Sequence, residues 1–213
     1  MRARIEHIRR RELVEATLET MRRYGYSGTT VARVGAAAGM SPGIVHHYFK
    51  NKAELMESAL RTLQGQLGGR VVELLRTAKS PRERLRAVLD GNFAPGLFTS
   101  DGAHVWMAFL GEVPFRRENA KLQHIIHSRL RSNLMPALRH FLPGNQAEEV
   151  AFGLRVLIDG LWMQCAAGVQ GLSREAALSE IDRYLEGRIP AWNRELSRGR
   201  PRVREPGTSR ARG

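Results

Sequence analysis

The stretch Thr30–Tyr48, TVARVGAAAGMSPGIVHHY, decides the fold. Two short helical segments, Thr30 to Ala38 and Ser41 to Tyr48, flank Gly39-Met40. Gly39 falls just past a helix end, where a left-handed backbone is wanted. Ser41 before Pro42 is an N-cap followed by proline at the first helical position. Helix, tight glycine turn, helix is the shape of a helix-turn-helix unit. The second segment is about 12 Å long, which matches the width of a DNA major groove. Glu, Asp and Lys are missing from 41–48; Ser41, Pro42, Gly43, His46, His47 and Tyr48 stand there instead. Small residues at the helix start let the backbone approach DNA, and Ser, His and Tyr can bond bases or phosphates. Val31, Val34, Ala38, Ile44, Val45 and Phe49 are expected to form the apolar face that holds the unit together.

Helix signals continue on both sides. Upstream, Leu13, Thr17, Met21 and Tyr24 keep a 3–4 spacing from Ile8 onward, and Gly25 ends that run. Downstream, Asn51-Lys52-Ala53-Glu54 has the form of a capping box, with helix amides free to hold a phosphate and Lys52 adding a charge. Ser80-Pro81-Arg82-Glu83 and Asn145-Gln146-Ala147-Glu148 repeat the capping logic. Ser173-Arg174-Glu175 opens a last helix that should reach about Gly187. The helix expected over 148–169 is apolar on most sides, with Phe152, Leu154, Leu157, Ile158, Leu161, Trp162, Cys165 and Val169. Such a helix is central or forms a subunit interface. Strand-like alternation and internal repeats are absent, so the fold class is all-α.

Composition narrows the partners. The chain has 213 residues, 42% of them hydrophobic, which excludes wholesale disorder. Its 34 Lys and Arg against 21 Asp and Glu give +13, and thirty of the 34 are Arg. That balance points to a polyanion, either nucleic acid or an anionic membrane. No run approaches the roughly 18 apolar residues of a spanning helix, which disfavours the membrane. The first residues lack the apolar region of a secretory signal. One cysteine, Cys165, excludes an internal disulfide and a cysteine-based zinc site. The expected setting is the cytoplasm. Residues 1–65 hold 11 basic and 6 acidic side chains, 66–193 hold 16 and 13, and 194–213 hold 7 and 2. The last stretch is Arg, Gly, Pro and Ser with hardly an apolar residue, the composition of a disordered basic arm.

The segment Thr29 to Leu55 resembles the DNA-binding segment of TetR-type transcriptional regulators. Caps, turn glycine, Tyr48-Phe49 and Lys52 all fall in register, and the match covers roughly residues 8–65. The resemblance implies an all-α homodimer on palindromic operator DNA, with an N-terminal three-helix reader and a C-terminal helical ligand-binding and dimerisation domain. It implies DNA contacts from Thr30, Arg33, Ser41, Pro42, Gly43, His46, His47, Tyr48 and Lys52. Thr30, Tyr48 and Lys52 would take phosphates; Arg33, Pro42, Gly43 and His46 would take bases. Domain bounds follow: a flexible basic N-terminus at 1–7, the reader at 8–65, the ligand and dimer domain at 66–192, and a disordered Arg-rich tail at 193–213.

Within that family, Gly91-Asn92-Phe93, Trp106-Met107-Ala108-Phe109, Arg129 to Leu134 and Leu157 to Trp162 are similar to the choline-responsive repressors that control choline uptake and glycine betaine synthesis. Glu112 to Asn119 and the tail past 193 depart from that pattern. The residues offer a parallel argument. Asp159 lies inside an apolar helix, so its carboxylate must be paired or face a wet cavity. A pair with Arg155 one turn earlier is the plain account. The sharper one notes that Asp159 and Trp162, and Trp106 and Phe109, share faces at i, i+3. Aromatic rings beside an anion suit a quaternary ammonium, which cannot donate hydrogen bonds. A ligand site of Asn92, Phe93, Trp106, Phe109, Asp159 and Trp162 is therefore expected, for choline or betaine aldehyde. The alternative is a regulator of another pathway with a different hydrophobic or cationic effector.

Other classes fit less well. An enzyme is disfavoured, because no nucleophile elbow, phosphate loop or dinucleotide fingerprint is present and no catalytic residues or cofactor are indicated. His46 and His47 diverge by about 100° on a helix and cannot easily share a metal. His124 and His127 are suitably spaced but lack a third ligand, so no metal is expected. His104 and His140 read as polar-face residues. A nonspecific basic architectural protein would carry its charge everywhere, yet 66–193 is nearly balanced.

Overall fold

The computed structural model describes residues 2–189 and Trp192, and the helices are α1 (Arg2–Gly28), α2 (Val31–Ala37), α3 (Pro42–Tyr48), α4 (Lys52–Thr77), α5 (Pro81–Asn92), α6 (Ser100–Glu112), α7 (Arg117–Phe141), α8 (Gly144–Ala166) and α9 (Arg174–Glu186). No strand occurs among the described residues. The caps expected at Ser41, Asn51, Ser80 and Ser173 form: each side-chain oxygen accepts the amide three residues on. Two carboxylates return the bond, Glu54 accepting from the Lys50 amide at 2.9 Å and Glu83 from the Lys79 amide at 2.6 Å. Gly39 takes φ +65°, the left-handed turn that brings α3 back across α2.

Several expectations are corrected. α1 starts at Arg2, so the residues assigned to a flexible N-terminus continue the helix. Its backbone breaks at Gly25, with φ +67°, as the sequence indicated. The boundary drawn at 65 falls inside α4, which runs unbroken through it. α8 begins at Gly144 without a side-chain cap, and Glu148 pairs instead with Arg131, 17 residues back on α7. Ile44 is 45% exposed and belongs to the outer face of α3, while Val34, Val45 and Phe49 form the reader's core. Tyr24, placed on the inner face of α1, is exposed and carries the Arg33 guanidinium 4.6 Å above its ring. The tail past 193 lies outside the described residues.

The reader is α1 to α3 with the start of α4. α5 packs along the remainder of α4, α7 packs on α5 and α8, and α6 packs on α8 and α1, and together they bury Leu85, Val88, Leu134, Leu138 and Leu154 completely. α9 is pinned to α5 by charge-assisted bonds: Arg86 Nη1 reaches both oxygens of Asp182 at 2.7 and 2.8 Å, and Arg174 Nε donates to the Phe93 carbonyl at 2.7 Å.

Two glycines predict opposite responses to an added methyl. At Gly91 a Cβ would collide with the Val71 backbone and side chain, whereas at Gly69 it would meet nothing within 4 Å. Gly91→Ala should therefore lower unfolding stability by about 1–3 kcal/mol through overpacking. Gly69→Ala should raise it by up to about 1 kcal/mol through helix propensity. Urea denaturation followed by circular dichroism checks both signs.

Candidate DNA-binding face and effector cavity

α3 presents Ser41, Pro42, Gly43, Ile44, His46 and His47 to solvent, and Tyr48 is half-buried. A shallow groove of Arg9, Gly39, Met40, Ser41, Gly43, Ile44, His47 and Tyr48 joins α1 to this face. Arg9 and Ile44 line this groove, which their own segments did not signal; Ile44 reads as core because it is apolar beside Val45. Arg10 fixes the face from behind: it donates to the Tyr48 carbonyl and lies 4.3 Å above the Phe49 ring.

Several expected contact residues already hold the reader together. Thr30 caps α2 by accepting the Arg33 amide at 3.2 Å, and Ser41 caps α3 by accepting the Ile44 amide at 3.4 Å. The Arg33 guanidinium donates to the Gly28 carbonyl. The Lys52 ammonium donates to the Tyr26 carbonyl at 2.8 Å and the Ser27 carbonyl at 3.5 Å, and sits 4.9 Å from the Tyr26 ring centre. Lys52 therefore ties the start of α4 to the end of α1. Burial lowers its pKa, and the nearby Glu112 charge opposes that shift.

Glu112 belongs to the segment that departs from the sequence pattern, and it meets the reader here. Arg116 Nε donates to Glu112 Oε2 at 2.7 Å. Both side chains lie near the Tyr26 hydroxyl, where their charges act on it in opposite directions. Burial, reinforced by the Glu112 charge, pushes the Tyr26 phenol above its ordinary range. The end of α6 is thus knotted to the junction of α1 and α4.

A cavity of about 90 Å³ lies between α4, α5, α6, α7 and α8. Asn92, Trp106, Asp159 and Trp162 line it, as expected, together with Leu63, Gln64, Leu67, His127 and Asn133. Phe93 and Phe109 do not line it. Both are fully buried behind the lining rings: Phe109 stacks on Trp106 at 5.2 Å, and Phe93 packs edge-on against Phe98, which packs edge-on against Trp162. The spacing of Phe109 from Trp106 gave the right face but one layer too deep, and Phe93, expected from the resemblance of its segment, stands at the α5 C-cap behind the lining. Asp159 is not paired with Arg155. Its Oδ2 lies 3.5 Å from His127 Nε2, while the Arg155 guanidinium stacks 4.7 Å above Phe152. His127 was missed as a site residue because its partner lies on another helix. Among the described residues no cluster of three or more His, Cys, Asp and Glu could hold a metal. None of the described helices is long and apolar enough to cross a membrane.

A helix-turn-helix reader joined by a continuous helix to a helical domain with an internal cavity is the architecture of a ligand-responsive transcription regulator. The chain belongs to the TetR family of bacterial regulatory proteins and is a transcriptional repressor with a BetI-type C-terminal domain: the family pattern matches residues 13–59, and the BetI-type C-terminal pattern matches 81–190. HTH-type transcriptional regulator BetI 1 of Chromohalobacter salexigens is 37% identical over 186 residues, 87% of this chain and 92% of that one. BetI of Escherichia coli O157:H7 is 35% identical over 188 residues, 87% and 96% of the two chains. Among solved structures, a putative transcriptional regulator from Saccharomonospora viridis in complex with choline is 26% identical, with TM-score 0.76 over 84% of this chain and 96% of that one. A putative regulator from Pseudomonas aeruginosa PAO1 has 25% identity and TM-score 0.73 over 88% and 94%. These relatives are regulators, not enzymes.

The Lys52 tie generates a test. Lys52→Ala should lower unfolding stability by about 1–3 kcal/mol, because two carbonyls lose a charged donor. If Lys52 also touches a phosphate, the slope of log affinity against log salt should shrink by about one unit. An unchanged slope beside a lowered stability would assign Lys52 wholly to the tie.

Proposed function

We propose that this repressor is induced by choline or betaine aldehyde and controls genes for choline uptake and glycine betaine synthesis. The observation that carries the reading is the cavity itself. Trp106 and Trp162 present two indoles, and Asp159 contributes an anion 3.5 Å from the His127 imidazole. A trimethylammonium group gains about 0.5–2 kcal/mol from each well-placed ring, and the carboxylate balances its charge. The solved relative bound to choline and the BetI relatives support the same assignment.

On the DNA side, α3 enters the major groove. Gly43 and Pro42 allow close approach, His46 and His47 reach base edges, and Ile44 offers an apolar contact to a thymine methyl. Thr30 and Tyr48, with the amides at the Asn51 cap, face phosphates. Arg33 reaches a base only by leaving the Gly28 carbonyl, so its role depends on rearrangement at the operator. The protein works in the cytoplasm, where its operator is.

Two copies are needed. Phe152, Val156 and Met163 are 50–59% exposed and lie within one stripe of α8, with Gly160 between them. The exposed side of α9 is polar instead, with Glu175, Ser179, Arg183 and Glu186. An isologous dimer centred on the α8 stripe, with α9 flanking it, presents two readers to a palindrome. Val156→Arg would place like charges across the two-fold axis. It should yield monomers in sedimentation at micromolar concentration and abolish binding to the full palindrome. A Val156→Arg protein that remained dimeric would remove α8 from the interface.

Induction requires that the effector favour one of two states. α6 carries Trp106 at the cavity and Glu112 at the reader junction, so a cation seated on Trp106 can bias the knot with Tyr26. Coupling of this kind is typically 5–150-fold in affinity. Millimolar choline should weaken binding to the operator by a factor in that range, and calorimetry should detect choline binding to the free protein. Trp106→Ala and Asp159→Asn should each abolish both effects while leaving operator affinity without choline intact. Absence of heat with the unaltered protein would remove choline as the inducer.

A further inference from the structure

The cavity that suits a quaternary ammonium is also lined by amides that have no role yet. Three carboxamides line it: Gln64 on α4, Asn92 on α5 and Asn133 on α7. The Asn92 amide is engaged through its Nδ2, which donates to the Val88 carbonyl at 2.7 Å, and the Asn92 backbone carbonyl accepts Trp162 Nε1 at 3.3 Å. Gln64 and Asn133 are half-buried, and no hydrogen bond among the described residues engages either amide. A half-buried amide without a partner is unfavourable unless water or a ligand completes it.

We propose that Gln64 and Asn133 read a neutral oxygen of the effector, so that the site selects a trimethylammonium compound bearing a hydroxyl or carbonyl. The inference rests on the quaternary-ammonium reading of the same cavity. A carboxamide offers both donor and acceptor, which a hydroxyl can meet in full; a trimethylammonium head has neither. A site built to bond such an oxygen rejects the analogue lacking it, because its own polar groups are then left unpaired. The placement adds a consequence. Gln64 shares one face of α4 with Leu63, Leu67, Gly68 and Val71, all in the lining. The oxygen end of the effector therefore bonds the helix whose first residue, Lys52, holds the reader. The competing occupant is a zwitterion whose carboxylate would use Arg129, which also lines the cavity.

Calorimetry on the full chain with choline, tetramethylammonium and glycine betaine separates these outcomes. The unaltered protein should prefer choline over tetramethylammonium by about tenfold or more. Gln64→Leu and Asn133→Leu should each cut choline affinity by about tenfold, the scale of one hydrogen bond, and leave tetramethylammonium within about twofold. If a leucine variant loses both ligands, Gln64→Ala and Asn133→Ala decide by the same ratio, and a parallel loss there overturns the amide role. Equal binding of choline and tetramethylammonium by the unaltered protein also overturns it, while leaving the quaternary-ammonium reading standing. Preference for glycine betaine that Arg129→Gln removes overturns it in favour of a carboxylate at Arg129. Failure of all three compounds to bind overturns the quaternary-ammonium reading and this inference with it.

Discussion

α4 belongs to both halves of the molecule, and the remaining architecture follows from that. Its 26 residues make a rod of about 39 Å. At its start, the Asn51 cap and the Lys52 ammonium hold α3 and α1 in place. Further along, Leu63, Gln64, Leu67, Gly68 and Val71 form one wall of the cavity. A packed helix does not bend continuously, so a displacement of the cavity wall has to be carried to the reader or absorbed by a broken contact. The knot at the end of α6 restricts which contact can break. Tyr26, Glu112, Arg116 and Lys52 join three helices through hydrogen bonds and opposed charges. A signal from the cavity thus has two routes to the reader, and both end at the same few side chains.

The electrostatics of the cavity follow the same economy. Asp159 is the one carboxylate among the described residues of the lining, which otherwise holds apolar residues, amides, Arg129 and His127, and the His127 imidazole lies 3.5 Å from it. Other carboxylates are paired: Asp182 and Asp90 with Arg86, Glu148 with Arg131, Glu112 with Arg116. The hydrogen bond from Arg131 holds the Glu148 carboxyl below its usual range. An exposed pair such as Arg131 with Glu148 contributes little stability.

The helices were legible because local signals decided them. Caps at Ser41, Asn51, Ser80 and Ser173 and the turn at Gly39 act over three or four residues, and all formed. The errors share a different cause, since each involves a partner distant in sequence. Glu148 was expected to close a cap and was taken by Arg131. Asp159 was expected on Arg155 and lies by His127. Ile44 has the apolarity of a core residue, but only the docking of α3 on α1 shows that it faces outward. Of the cavity, Trp106, Asp159 and Trp162 were readable from helical faces, and Asn92 from the resemblance of its segment. Gln64 and Asn133 were not, because nothing in their own segments marks them. Depth was equally invisible: Phe93 and Phe109 share faces with lining residues yet stand one layer behind.

The reader's own chemistry explains why the C-terminal domain must do more than bind an effector. α3 has seven residues, about 10 Å of helix, and can touch only a few base pairs. Its strongest cations are partly spent indoors, with Arg10 on the Tyr48 carbonyl, Arg33 on the Gly28 carbonyl and Lys52 on Tyr26 and Ser27. What remains outward is two imidazoles, a proline, a glycine and an isoleucine, a surface suited to shape and base edges more than to raw attraction. Each mismatch against such a surface costs only about 1–3 kcal/mol. One reader alone therefore discriminates weakly among the many sites of a chromosome, and discrimination multiplies when two readers are held at a fixed separation. The apolar stripe of Phe152, Val156 and Met163 is where that separation can be set. α8 also carries Asp159 and Trp162 on its inner side. In the proposed dimer the helix that positions the second reader also lines the proposed effector cavity, and a small rotation of α8 about its axis would change the spacing of the two readers without altering either one.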